Sequence, residues 1–363
     1  PVTDGATKDH SPSWSSDART LYYVSDRDGS PDLWLQRFNE NDLPEGPPQQ
    51  ETAGTLMVDG SFSLDRSRFA YSVGRVFSNV WRVPIFGDRP ATWADAEQLT
   101  GEDAYVVHLD LSADGKRLIL TSDRGGNPDL WMLPAAGGKL QHVTTDLGPD
   151  LGPRWSPDGE RIAFSTGRSG DRDIWIMPIA GSVSHQLTRH AAIERFPTWS
   201  PDGAEIAFTS DRSGNDEIWV TSVSGGGRRQ MTDDPASDYL PAWSPDGQWL
   251  VFVSTRSGQP ALWRLPARGG DADRVVEGDV GVPRWAPDSR EVYVRAVRDG
   301  RANVWVVSLE DGRERAVTDL VGKQGGLGPA ALATDGRYAY FTWQLDQRDL
   351  WVADVVQDEG DRD

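Results

Sequence analysis

The chain has no cysteine in its 363 residues. That excludes disulfides, thiolate metal sites, iron–sulfur clusters and a cysteine nucleophile. Lysine is nearly absent: only 4 of the 37 basic residues are Lys, and 56 Asp and Glu leave a formal charge of -19. Phosphate backbones require a basic footprint, so nucleic acid is not an expected partner. No apolar run approaches the ~18 residues of a membrane helix, so no membrane insertion is expected. No helical period of apolar residues occurs. The catalytic signatures His-Glu-x-x-His, Gly-x-Ser-x-Gly and Gly-x-x-x-x-Gly-Lys are all missing. The five His (His10, His108, His142, His185, His190) show no metal-ligand spacing within one strand. The chain opens Pro1-Val2-Thr3-Asp4, with neither Met nor a signal-peptide pattern, so an upstream segment is expected to have been removed.

What is present is aromatic and turn-rich. Hydrophobic residues are 37%, but 16 Trp, 10 Phe and 8 Tyr supply enough apolar surface to argue against disorder. With 38 Gly and 24 Pro, turns are dense. Self-comparison then settles the class. Four windows begin Pro153-Arg-Trp155-Ser-Pro-Asp-Gly159, Pro197-Thr-Trp199-Ser-Pro-Asp-Gly203, Pro241-Ala-Trp243-Ser-Pro-Asp-Gly247 and Pro283-Arg-Trp285-Ala-Pro-Asp-Ser289. A second Trp recurs at Trp34, Trp81, Trp131, Trp175, Trp219, Trp263, Trp305 and Trp351. One period of 42 to 50 residues thus spans the chain eight times.

Each repeat reads as four short strands, a to d. Strand a ends at Trp-Ser, and Ser-Pro-Asp-Gly forms a tight turn: Pro sets φ, Asp bonds its own backbone, and Gly takes the left-handed position. Strand b alternates β-branched and aromatic residues, as in Leu250-Val-Phe-Val253. An Asp-Arg-x-Gly stretch makes the b–c turn, strand c carries the second Trp, and a Gln-Leu-Thr segment is strand d. Four-stranded repeats of this length indicate an all-β, eight-bladed β-propeller with four antiparallel strands per blade. The expected blades cover 9–54, 57–101, 105–146, 150–190, 194–234, 238–278, 280–320, and 327–356 together with 1–4, all in one domain. The last blade lacks a strand d after Trp351, while Val2-Thr3-Asp4 matches Val317-Thr318-Asp319, so the N-terminal strand is expected to close the ring.

Trp-Ser-Pro-Asp-Gly, Ile-Ala-Phe-x-Ser-Asp-Arg-x-Gly, Ile-Trp and Gln-Leu-Thr together resemble the repeat of TolB-type, WD-like bacterial β-propellers, most closely from Pro153 to Pro266. The match is weakest in repeat 2, where Gly74-Arg75-Val-Phe-Ser replaces the Asp-Arg-x-Gly turn, and in repeat 8, where Thr342-Trp343-Gln344 does. The periplasmic namesake has fewer repeats and a separate N-terminal domain. The resemblance implies a binding or scaffold module outside the cytoplasm, in the periplasm or extracellular, as the sensor part of a longer protein. Rival readings of the same fold are a carbohydrate-active lyase or hydrolase, and the propeller of a prolyl-oligopeptidase-type peptidase.

The strand-c Trp residues and the Asp-Arg pairs recur in register, which marks them as structural: core for the former, loop-bridging guanidiniums for the latter. Non-repeated residues are the better site candidates. Five residues before the strand-a Trp stand Asp9, Asp150, Glu194 and Asp238, expected to ring the channel mouth on the face of the d–a and b–c loops. Beside them lie His10, Arg195, Phe196 and Tyr239, while Arg154 and Arg284 are placed to point into the channel. The acids could instead only cap loops. If they form a ring, a protein or peptide partner, basic in character, is expected there, and the protein is expected to be a monomer. No cofactor is expected; a calcium ion at the channel mouth is the one exception these carboxylates allow.

Overall fold

A computed structural model describes residues 9–15, 17–27, 31–53, 57–63, 68–101, 104–179 and 183–354. They are almost entirely β. The expected turn chemistry is seen atom by atom. In repeat 4 the Ser156 hydroxyl donates to the Asp158 carboxylate, which also accepts the Glu160 amide at 2.9 Å, and Gly159 has φ +70°. Repeat 5 is identical, with Ser200 to Asp202 at 2.6 Å and Gly203 at φ +69°. The Thr of each Gln-Leu-Thr segment accepts an amide from strand c: Ile174 N to Thr188 Oγ1, and Ile218 N to Thr232 Oγ1, are both 2.9 Å.

The chain divides into two compact units, residues 77–345 and residues 1–76 with 346–363. In the larger unit, five four-stranded antiparallel sheets correspond to repeats 3 to 7. A sixth sheet is assembled from both ends of the unit. Strands Gly326–Thr334 and the first part of Tyr338–Asp354 supply its a and b positions; the last part of Arg68–Pro84 and Glu97–Gln98 supply c and d. Ile85 N donates to Arg337 O at 2.8 Å, the same bond that Ile179 N makes to Glu160 O within repeat 4. The a strands then pack in one cycle: Val106–Leu111, Asp150–Trp155, Glu194–Trp199, Asp238–Trp243, Val280–Trp285, Gly326–Thr334, and back to Val106–Leu111. The larger unit is a closed six-bladed ring.

The eight sequence repeats are therefore present as antiparallel blade units; repeats 2 and 8 exchange halves, and six blades close the ring of the larger unit. The cause lies at the b–c turn. Where Asp-Arg-x-Gly is replaced, no hairpin forms, and strands b and c run on as single 17-residue strands, Arg68–Pro84 and Tyr338–Asp354. Each freed half pairs with the other repeat. The expected closing strand, Pro1 to Asp4, lies outside the described residues. A cluster of indoles marks the seam. Trp93 stands edge-on to both Trp81 and Trp343, with centroids 5.2 and 4.6 Å apart, and Trp343 Nε1 donates to Gln324 O at 2.8 Å.

The smaller unit holds a four-stranded sheet, Asp9–Trp14, Thr20–Ser25, Asp32–Arg37 and Gln49–Gln50, and the strand Met57–Phe62 paired with the first part of Arg68–Pro84. Val24, Leu33, Met57 and Phe69 form its core, and the Phe62 ring lies tilted against Phe69 with centroids 4.6 Å apart. Trp351 departs from the expected core role of its register: it is 55% exposed.

Candidate binding channel

The axis of the six-bladed ring is walled by the a strands, and each a strand of repeats 4 to 6 carries a bulge two to three residues before its Trp. At the bulge Gly152, Phe196 and Leu240 all have left-handed backbone, with φ +63°, +55° and +57°. Glycine adopts this freely, but bulky Phe and Leu do so only under local strain. Strain of this kind is often retained where a side chain must be aimed.

The acids predicted to ring the mouth are placed differently from expectation. Asp150, Glu194 and Asp238 are fully buried, and each is held by the arginine of its own b–c turn. Arg168 Nη2 donates to both Asp150 oxygens at 2.7 Å; Arg212 pairs with Glu194, and Arg256 with Asp238. The same guanidiniums lie over the strand-c indoles, Arg212 4.7 Å from Trp219 and Arg256 4.8 Å from Trp263. Each clamp joins the start of strand a, the b–c turn and strand c within one blade. These carboxylates are thus engaged by arginine and do not form an open acidic ring. Burial pushes the Asp150 and Asp238 carboxyls up, and their hydrogen bonds and arginines pull them only part of the way back. In the smaller unit Asp9 lies 3.7 Å from Arg27, while His10 is exposed, its Nδ1 3.1 Å from Ser11 Oγ.

Of the other predicted residues, Arg154 and Arg284 are brought together. Both reach the carbonyl of Leu109, at 3.5 and 3.3 Å, and both approach Asp110 Oδ1, at 3.8 and 3.9 Å. Arg284 thereby bridges the channel from repeat 7 to repeat 3. Phe196 faces the ring of His108 at 6.0 Å. Tyr239 is half-buried against the apolar core.

Residues 147–233 match the family model of the TolB beta propeller domain. These residues are similar to TolB-type propeller repeats. The solved structures agree on the fold. Putative TolB from Agrobacterium tumefaciens superposes with a TM-score of 0.64 at 22% identity, covering 75% of this chain and all of that one. TolB from Acinetobacter baumannii gives 0.55 at 14% identity, over 93% of this chain and 79% of that one. The propeller in a Nidogen/Laminin complex gives 0.54 at 13%, over 67% and 94%.

Two features of this channel escaped sequence reasoning. Asp110 occupies the same register as Arg154 and Arg284, one residue before the strand-a aromatic position, but Leu111 replaces the Trp that would have flagged it. His108 stands in the sequence as one of five histidines, and nothing in its neighbours shows that three guanidiniums surround it. Its imidazole is held down to about 3, by burial first and then by Arg154, Arg172 and Arg284. Among the described residues no three His, Asp or Glu side chains are grouped to hold a metal ion. In the b–c turn at Asp211 to Asp216, Asn215 donates to Glu217, Asp234 O and Ala236 O, and Asp216 pairs with Arg195.

Proposed function

We propose that the chain is a non-enzymatic binding propeller that presents the d–a and b–c loop face of its six-bladed ring to a protein or peptide. The observation that supports this is a mixed apolar and charged mouth. Leu147 and Ile193, on successive d–a loops, are exposed, and Tyr239 and the Arg195–Asp216 pair lie on the same face. Rigid aromatics and arginine beside apolar side chains are the usual anchors of protein interfaces. The TolB-type fold is consistent with a scaffold role, and among the described residues no helix is long and apolar enough to cross a membrane. The reading places the protein outside the cytoplasm, as the interaction part of a bacterial system. The charge of -19 steers basic partners toward it, more so at low salt.

Selection of displayed peptides on the full chain tests the reading. Selected peptides should be rich in Lys and Arg, and should lose ~10-fold or more in affinity on Leu147→Asp, Ile193→Asp and Tyr239→Ala. Peptides that bind these variants as tightly as the parent place the interface elsewhere. Failure to select any peptide removes the peptide reading.

A further inference from the structure

The overall charge conceals a channel of the opposite sign. At the end reached by the a strands, successive blades present Asp110, Arg154, Thr198, Ala242 and Arg284 around a cavity of about 200 Å³. Two guanidiniums share the single carboxylate of Asp110, and neither lies within hydrogen-bond distance of it. Asp110 is also committed elsewhere, accepting the Trp155 amide at 2.9 Å. Deeper in the channel, Arg172 is held only by Ser165 Oγ, at 3.3 and 3.2 Å from Nε and Nη2. Of the acids in the neighbouring loops, Asp216 is paired with Arg195 and Asp279 with Arg295. Among the described residues Arg154 and Arg284, 12% and 11% exposed, thus share one carboxylate, and Arg172 has none within 4 Å.

Two buried nitrogens in this cluster make no hydrogen bond. Arg284 Nε is buried and makes no hydrogen bond. His108 is 8% exposed, and its Nδ1 is likewise buried and unbonded. Native proteins leave few such groups, and each one left calls for an explanation. Excess like charge in a low-dielectric space is costly unless a counter-charge enters. The Arg284 guanidinium responds accordingly, drawn down to about 9 by burial and by Arg154, and so still charged at neutral pH.

We propose that the channel of the six-bladed ring is a binding site for a small oxyanion, a carboxylate or phosphate group, held by Arg154, Arg172 and Arg284 with His108 as a further donor. Guanidinium forks match planar carboxylate and tetrahedral phosphate oxygens, and Arg284 Nε has a hydrogen bond to give. Arg172 belongs to a b–c turn of the peptide face proposed above, but the ligand here is an anion and not the basic peptide expected there.

The test is calorimetric titration of the full chain with inorganic phosphate, succinate, and a short peptide as free acid and as C-terminal amide, at constant ionic strength. Saturable binding is expected below ~10 mM, the weak range for a few charged contacts. Arg284→Gln and Arg172→Gln should each weaken it by ~10-fold or more. Asp110→Asn keeps the acceptor for Trp155 N but removes the competing charge, so it should tighten binding several-fold. That gain cannot come from a merely damaged fold, so it guards against an arginine variant that folds poorly. Phosphate binding marks a free inorganic anion as ligand; binding of the free-acid peptide but not its amide marks a chain end. If none of the four probes binds, or if all bind Arg172→Gln and Asp110→Asn as they bind the parent, the proposal is wrong.

Discussion

Glu194 and Arg212 offer the sharpest test of how the blades are held. The glutamate is fully buried and the Arg212 side chain is 8% exposed. Arg212 also bonds Ser210 Oγ through Nε at 3.1 Å and covers Trp219. Glu194→Gln leaves shape and volume almost unchanged but strands the guanidinium. Removing one partner of a buried pair costs ~3–5 kcal/mol, because the remaining charge stays desolvated. The larger unit spans 269 residues, and at this size 1 kcal/mol moves Tm by roughly 2 °C. Glu194→Gln should therefore lower Tm by roughly 6–10 °C in scanning calorimetry. The double variant Glu194→Gln/Arg212→Met removes both charges and should recover at least half of that loss. If the single variant melts within ~1 °C of the parent, or the two substitutions add, the clamp is not a coupled pair and the argument fails.

Four further outcomes follow from the same geometry. His108 is depressed in the fold, so its contribution is intact above its free value near 6.5 and is lost as pH falls toward 3; denaturation should show up to ~5 kcal/mol of acid sensitivity there, and His108→Gln a flatter profile. Trp343→Ala empties the seam beside Trp93 and should cost ~3–5 kcal/mol by chemical denaturation. Trp199, buried with Nε1 on Arg154 O, should cost more to truncate than half-buried Trp219; the reverse order would move the inter-blade core to strand c. Gly203→Ala forces a Cβ into left-handed backbone 3.4 Å from Arg161 Nη2 and should cost ~1–2 kcal/mol in the same assay.

What the sequence by itself determined is local. The Ser-Pro-Asp-Gly turns and the hairpin pairing within repeats 3 to 7 follow from residues close to one another in the chain, and the structure matches them. Local signals of this kind are strong because each turn satisfies its own backbone. The Asp-Arg turns were legible as structural, but their partners were not. Asp150, Glu194 and Asp238 lie 18 residues from the arginines that hold them, and no short-range rule tells a buried acid from an exposed one. Ring size was decided only in three dimensions. The missing Asp-Arg-x-Gly turns of repeats 2 and 8 were visible in the sequence, but their consequence was not. Without a hairpin, strands b and c part, and Phe77–Pro84 is free to pair with Arg337–Leu345, more than 250 residues away. The cationic channel is likewise a product of closure. Arg284 and Leu109 meet 175 residues apart, and only a closed ring sets two arginines and an unpartnered histidine on one axis inside a protein of charge -19.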